Sequence, residues 1–176
     1  NRSDTAASGQ LWTATSATAS DFQAVSAGKI LQVVQGAQTA DTSISSTSLV
    51  DIPGMSQAIT PTAASSKILI NVNLGFGWNN NFAGVQIQRD IAGGGYAAIA
   101  QGDADGSRSR GTFFFMMSEE NTVAMQSITY LDSPSYSLTN AITYKLQANA
   151  TSGNTLYFNR GNAADTNDAT RFRTIS

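Results

Sequence analysis

The sequence predicts an all-β fold, an antiparallel β-sandwich or jelly roll with an extended N-terminal arm. Three observations carry this. Short apolar segments alternate with a period of two and are broken by turn residues about every 8 to 12 positions. Charged residues make up 12% of the 176-residue chain, roughly half the usual share, so the polar surface is mostly Ser, Thr, Asn and Gln. Helix-filling residues are scarce, the only glutamates being Glu119 and Glu120, and no stretch of ten residues reads as a helix.

Residues 1–28 are low in complexity, with Leu11, Trp12, Phe22 and Val25 as sparse apolar points. They read as an extended arm or linker, and residues 29–176 as the sandwich domain. KILQVVQGAQ, from Lys29, reads as a strand apolar on both sides and so covered on two faces. TSLVDIPGMSQAITP reads as two short strands hinged at Pro53-Gly54. SKILINVNLGFGW carries the clearest alternation. Ile68, Ile70, Val72, Leu74, Phe76 and Trp78 face one way, and Leu69, Asn71, Asn73, Gly75 and Gly77 the other.

NNNFAG reads as a turn and VQIQRD as the next strand, with Val85 and Ile87 inward. AGGG reads as a turn and YAAIAQ as a short strand. QGDADGSRSRG reads as a loop in which aspartates bond the backbone and Gly106 takes positive φ. TFFFMMS lacks alternation and reads as covered by the core on one side and by a neighbouring sheet or chain on the other. TVAMQSITYLD is a strand, SPSYSLTN a loop, and AITYKLQAN a strand with Ile142, Tyr144 and Leu146 inward. SGN is a tight turn from which TLYFNRG pairs back as a hairpin. NAADTNDA is a polar loop, and ATRFRTIS begins a last strand.

The composition excludes several chemistries. Histidine and cysteine are absent, which removes Ser-His-Asp and Cys-His nucleophile pairs and zinc sites built on Cys or His. Net charge is −2 without a charged block, against a nucleic-acid footprint. No apolar run approaches the roughly 20 residues that span a bilayer, and no membrane insertion is expected. Asp103 and Asp105 in GDADG begin like a calcium loop, but the twelfth position, where such a loop needs an acid, is Phe114. Arg108 and Arg110, like Arg171 and Arg173, are spaced to share a strand face and read as contacts to carboxylates or carbonyls. Glu119 and Glu120 are adjacent, so on a strand they would face opposite ways and cannot converge on a glycosidic bond. Gly93 to Gly95 lack the strand-to-helix setting of a phosphate loop. No catalytic residue, metal or cofactor is expected, and the chain reads as a non-enzyme. Trp78, Asn79, Asn80, Asn81, Phe82 and Tyr96 are the candidate glycan surface, an aromatic and amide set on loops expected to meet at one end of the sandwich. Phe113, Phe114, Phe115, Met116 and Met117 are the candidate subunit contact, followed by the outer side of the SKILINVNL strand.

Together, GKILQVVQ, TSLVDIPGMSQAITPTAASSKILINVNL, IQRD, QGDADGSRSRGTF and LDSPSYSLTNAITYKLQA resemble a β-sandwich module of bacteriophage tail-fibre and virion structural proteins of the marine and cyanophage type. The likeness runs from about Gly28 to Arg173. The ITP-x4-SKIL and DSP-x8-TYKLQ blocks are its most specific parts, and LWTAT and SDFQAV resemble linker segments of phage appendages. The resemblance implies a sandwich, usually homotrimeric, on the capsid or tail surface of a virion. It would be the head of a fibre, spike or appendage that assembles with itself and other virion proteins and meets host cell-surface polysaccharide. The alternatives are a capsid decoration protein without a receptor role and a carbohydrate-binding, lectin-like module. The resemblance carries over no catalytic residues. The family pattern also implies a further closing strand after RTIS.

Overall fold

The computed structural model describes residues 10–14, 20–24, 29–78, 81–117, 123–151 and 153–161. All regular structure among them is β. The chain divides into two compact units, Asn1–Val33 and Val34–Ser176, a boundary a few residues beyond the one read from composition. In the first unit, β1 (Gln10–Ala14) and β2 (Ser20–Ala24) form an antiparallel ladder with Trp12 opposite Phe22.

The second unit is a sandwich of two antiparallel sheets. The strands are β3 (Thr42–Ile44), β4 (Val50–Ile59), β5 (Ile68–Trp78), β6 (Asn81–Ile91), β7 (Ala97–Ile99), β8 (Phe113–Met117), β9 (Ala124–Asp132), β10 (Ile142–Ala150) and β11 (Leu156–Phe158). One sheet runs β3-β11-β5-β9. The other runs β4-β10-β6, and β6 carries both β7 and β8 on its far edge. Those two pair with different ends of β6, so together they act as one edge strand interrupted by residues 100–112. Except for the β6–β7 hairpin and that interruption, every connection from β3 onward crosses between sheets.

The core sits between the sheets and follows the alternation of the sequence. Leu74 and Phe76 on β5, Val85 and Ile87 on β6, Leu146 and Ala148 on β10, and Leu156 and Phe158 on β11 are all buried. Small Ala83, Ala148 and Ala150 share this cluster with Phe76, Phe115 and Phe158, and a close-packed interior needs that mixture of volumes. The Phe76 ring of one sheet stacks on Phe115 of the other at 4.1 Å between centroids.

Where the sandwich narrows toward Ile68, polar groups replace hydrocarbon. Buried Asp132 on β9 accepts from Arg89 Nη1 at 2.8 and 2.9 Å and from the Tyr144 hydroxyl at 2.7 Å. All three groups are thereby satisfied, as a buried charge requires. At the other end, Asn159 is fully buried at φ 63°. Its Nδ2 donates to the Gln38 and Ala40 carbonyls at 2.8 and 3.1 Å, and its backbone N–H donates to Gly75 at 2.8 Å. Asn is among the few side chains that tolerate that backbone region.

Four expectations are corrected. KILQVVQ forms no strand; no described strand pairs with it, and Ile30, Leu31 and Val33 stand exposed. Apolar residues without a ladder partner do not make a strand. TLYFNRG does not pair back on β10: β11 crosses to the other sheet and inserts between β3 and β5, which lets Leu156 and Phe158 fill the core. Val50–Ile59 is a single strand, and Pro53-Gly54 falls at a register shift against β10 instead of separating two strands. TFFFMMS does alternate: Phe113 and Phe115 pack on the core, while Phe114 and Met116 are exposed. The segment read as the start of a last strand, ATRFRTIS, lies outside the described residues.

Candidate functional site

Of the predicted glycan set, the two residues with described side chains, Phe82 and Tyr96, stand apart. Phe82 begins β6 and is exposed, opposite Met116. Tyr96 precedes β7, which pairs with the far end of β6 at Arg89. At about 3.4 Å per residue, Phe82 and the Arg89 level of β6 are roughly 24 Å apart along the backbone. One face of the Tyr96 ring is also taken by the Lys145 ammonium, 3.8 Å from its centroid. Asn79 and Asn80, and the side chains of Trp78 and Asn81, lie outside the described residues, as do Glu119, Glu120, Arg171, Arg173 and the Met117 side chain. The predicted subunit contact splits by strand parity, and its outward members Phe114 and Met116 share the outer sheet face with Phe82.

A cleft of about 310 Å³ opens on that same face. Its floor is Gly84 on β6 and its cross-strand partner Asn149 on β10. One wall is Thr47, Ser48 and Leu49 from the β3–β4 connection; the other is Ser109, Arg110 and Gly111, with Phe114 at its foot. The floor is tight. Asn149 Oδ1 accepts from the Gly84 N–H at 3.2 Å, and Asn149 Nδ2 donates to the Thr47 carbonyl at 3.2 Å. A β-carbon on Gly84 would stand 2.7 Å from the Phe114 ring and 2.8 Å from Asn149 Oδ1. Glycine is required here for space, not for backbone conformation.

The wall that carries Arg110 is anchored at several points. Thr112 N–H donates to the Val85 carbonyl at 2.8 Å, and Thr112 Oγ1 accepts from the Ile87 N–H at 2.9 Å. Arg110 Nε donates to the Gly102 carbonyl at 2.7 Å. Beneath it runs a directed row of amides. Gln147 donates to Asp51 at 2.8 Å, Gln88 donates to Gln147 at 2.9 Å and to Gln86 at 2.7 Å, and Gln86 donates to the Arg110 carbonyl at 3.4 Å. Bonds from Lys145 and Gln147 hold the Asp51 carboxyl below its ordinary range. Gln86 and Gln88 are buried on this outer face. The alternation in AGVQIQRD marked their partners Val85 and Ile87 as core, but nothing local marked the glutamines as a support for a distant loop.

QGDADGSRSRG is that loop. Gly106 takes φ 55°, the Asp105 carbonyl accepts from Arg108 N–H at 3.2 Å, and Asp105 pairs with Arg108 at 3.1 Å with both side chains well exposed. The turn reading of this stretch holds at Gly106, while the Asp105 carboxylate pairs with Arg108 and not, as expected, with the backbone. Among the described residues no group of three or more acids gathers as a metal site would need.

No protein-family model, curated protein or solved structure matches the chain.

Proposed function

We propose that the chain is a structural subunit of a bacteriophage virion, the sandwich head of a fibre, spike or other appendage that assembles with copies of itself and adheres to the host surface. The observation that carries this reading is the apolar surface left uncovered on both outward sheet faces. Phe82, Phe114 and Met116 are exposed on one face, and Leu69, Met125 and Leu131 on the other. Leu69 and Leu131 lie directly opposite each other across β5 and β9. Exposed apolar groups of this kind mark interaction surfaces; a closed homo-oligomer would bury the Leu69–Leu131 pair economically, leaving the Phe82, Phe114 and Met116 face to meet the host. Strand order supports a jelly-roll topology. Taking the β7–β8 edge as one strand leaves eight, arranged as two four-stranded sheets with cross-sheet connections, the pattern of a double Greek key.

Native mass spectrometry tests the assembly. A homotrimer is expected for the intact chain, and dissociation is expected on Leu69→Ser with Leu131→Ser. A monomer at micromolar concentration would overturn the assembly half of the proposal. Imaging of labelled particles tests location. Label on the capsid shell, with no adsorption of the free protein to host cells, would favour a decoration protein instead.

A further inference from the structure

We infer that the cleft over Gly84 and Asn149 binds a saccharide bearing an acidic group; this rests on the adhesion reading above and gives it a site. Its volume lies at the low end for ligand clefts, which suits a short sugar segment. Its lining combines the surfaces a sugar needs. Half-exposed Phe114 offers an aromatic face to the apolar side of a ring. Thr47, Ser48 and Ser109 line the walls and Asn149 the floor, a mostly polar neutral lining.

The charge of the ligand follows from Arg110. Among the described residues no acidic side chain lines the cleft. Of the described arginines, Arg89, Arg108 and Arg160 each pair with a carboxylate, whereas Arg110 pairs with none among the described residues. Its Nε is occupied by the Gly102 carbonyl, which fixes the side chain while its terminal amino groups keep the charge. A planar guanidinium held this way matches a carboxylate or sulfate on a sugar. The missing β-carbon of Gly84 lets the Phe114 ring and the Asn149 amide pack side by side over the strand, which sets the aromatic and polar parts of the lining next to each other.

The test is an array of carboxylated, sulfated and neutral oligosaccharides probed with the intact protein, alongside adsorption to host cells. Retention of acidic glycans over neutral ones is expected, weakening as salt rises. Arg110→Gln and Phe114→Ala are each expected to lower affinity about tenfold or more, with the melting temperature almost unchanged because both side chains are exposed. The carboxylated and sulfated arms identify which acid is read. If no acidic glycan is retained, or neither variant weakens binding, the cleft assignment fails. Cell adsorption that persists unchanged in both variants would overturn the cleft while leaving adhesion standing. Absence of both adsorption and glycan binding would overturn both.

Discussion

Asn159 is the residue on which the most local structure depends. It occupies a left-handed conformation, closes β11 against β5, and ties down the chain at Gln38 and Ala40 with two donors. Asn159→Asp keeps the shape and removes both donors. It is expected to cost about 2–3 kcal/mol, a fall in melting temperature of roughly 4–12 °C, measurable by calorimetry. Gly84→Val is expected to push Phe114 aside or lift the β6–β10 ladder at this point, and to abolish ligand capture whatever its effect on stability. Tyr144 gives the fold an alkaline limit. Burial first, then its bond to Asp132, raises its pKa above the ordinary phenolic value near 10. A raised folded value means that stability is intact below that ordinary value and is lost as pH rises past it. Urea titrations at pH 8 and pH 11 are expected to show the loss, and Tyr144→Phe to remove part of it.

At the scale of the element, β8 separates the two uses of an aromatic run. Phe115 stacks on Phe76 across the sandwich, and Phe114 beside it in sequence faces outward. Phe115→Ala is expected to cost about 3–5 kcal/mol, as core aromatic deletions do; Phe114→Ala is expected to cost well under about 1 kcal/mol. Denaturant melts of the two variants make the comparison. The sequence disclosed parity wherever alternation was long: SKILINVNLGFGW and AITYKLQAN reveal their inward residues because side-chain direction is a local property. It concealed pairing, which is not local. Nothing in TLYFNRG says that it will leave β10 and slip between β3 and β5. Nothing in FFF says which rings meet Phe76, and KILQVVQ carries strand composition without a partner. Phe82 and Tyr96 of the glycan set part for the same reason: they are near in sequence but stand level with opposite ends of β6.

At the scale of the whole molecule, low charge and outward apolar residues are two sides of one property. Few ion pairs stabilise the sandwich, and the Lys145–Asp51 and Arg108–Asp105 pairs involve exposed carboxylates that contribute little. Its stability is therefore expected to change only slightly between low and high salt. Glycan capture through Arg110 is expected to weaken over the same range, and this contrast separates folding from recognition in a single titration series. The cleft as a whole was not legible in advance. Its floor, two walls and amide support come from segments scattered between Thr47 and Asn149, and only the sheet brings them together.

The interrupted edge has a consequence for how such a protein can diversify. Residues 101–109 lie between Ala100, which packs against the core, and the anchors at Arg110 and Thr112, so their length and chemistry can change while the ladder on β6 is kept. On the adhesion reading proposed above, exchanging that stretch for another would change the loop beside Arg110 while the framework stayed intact, a simple route for a particle to follow a host that alters its coat.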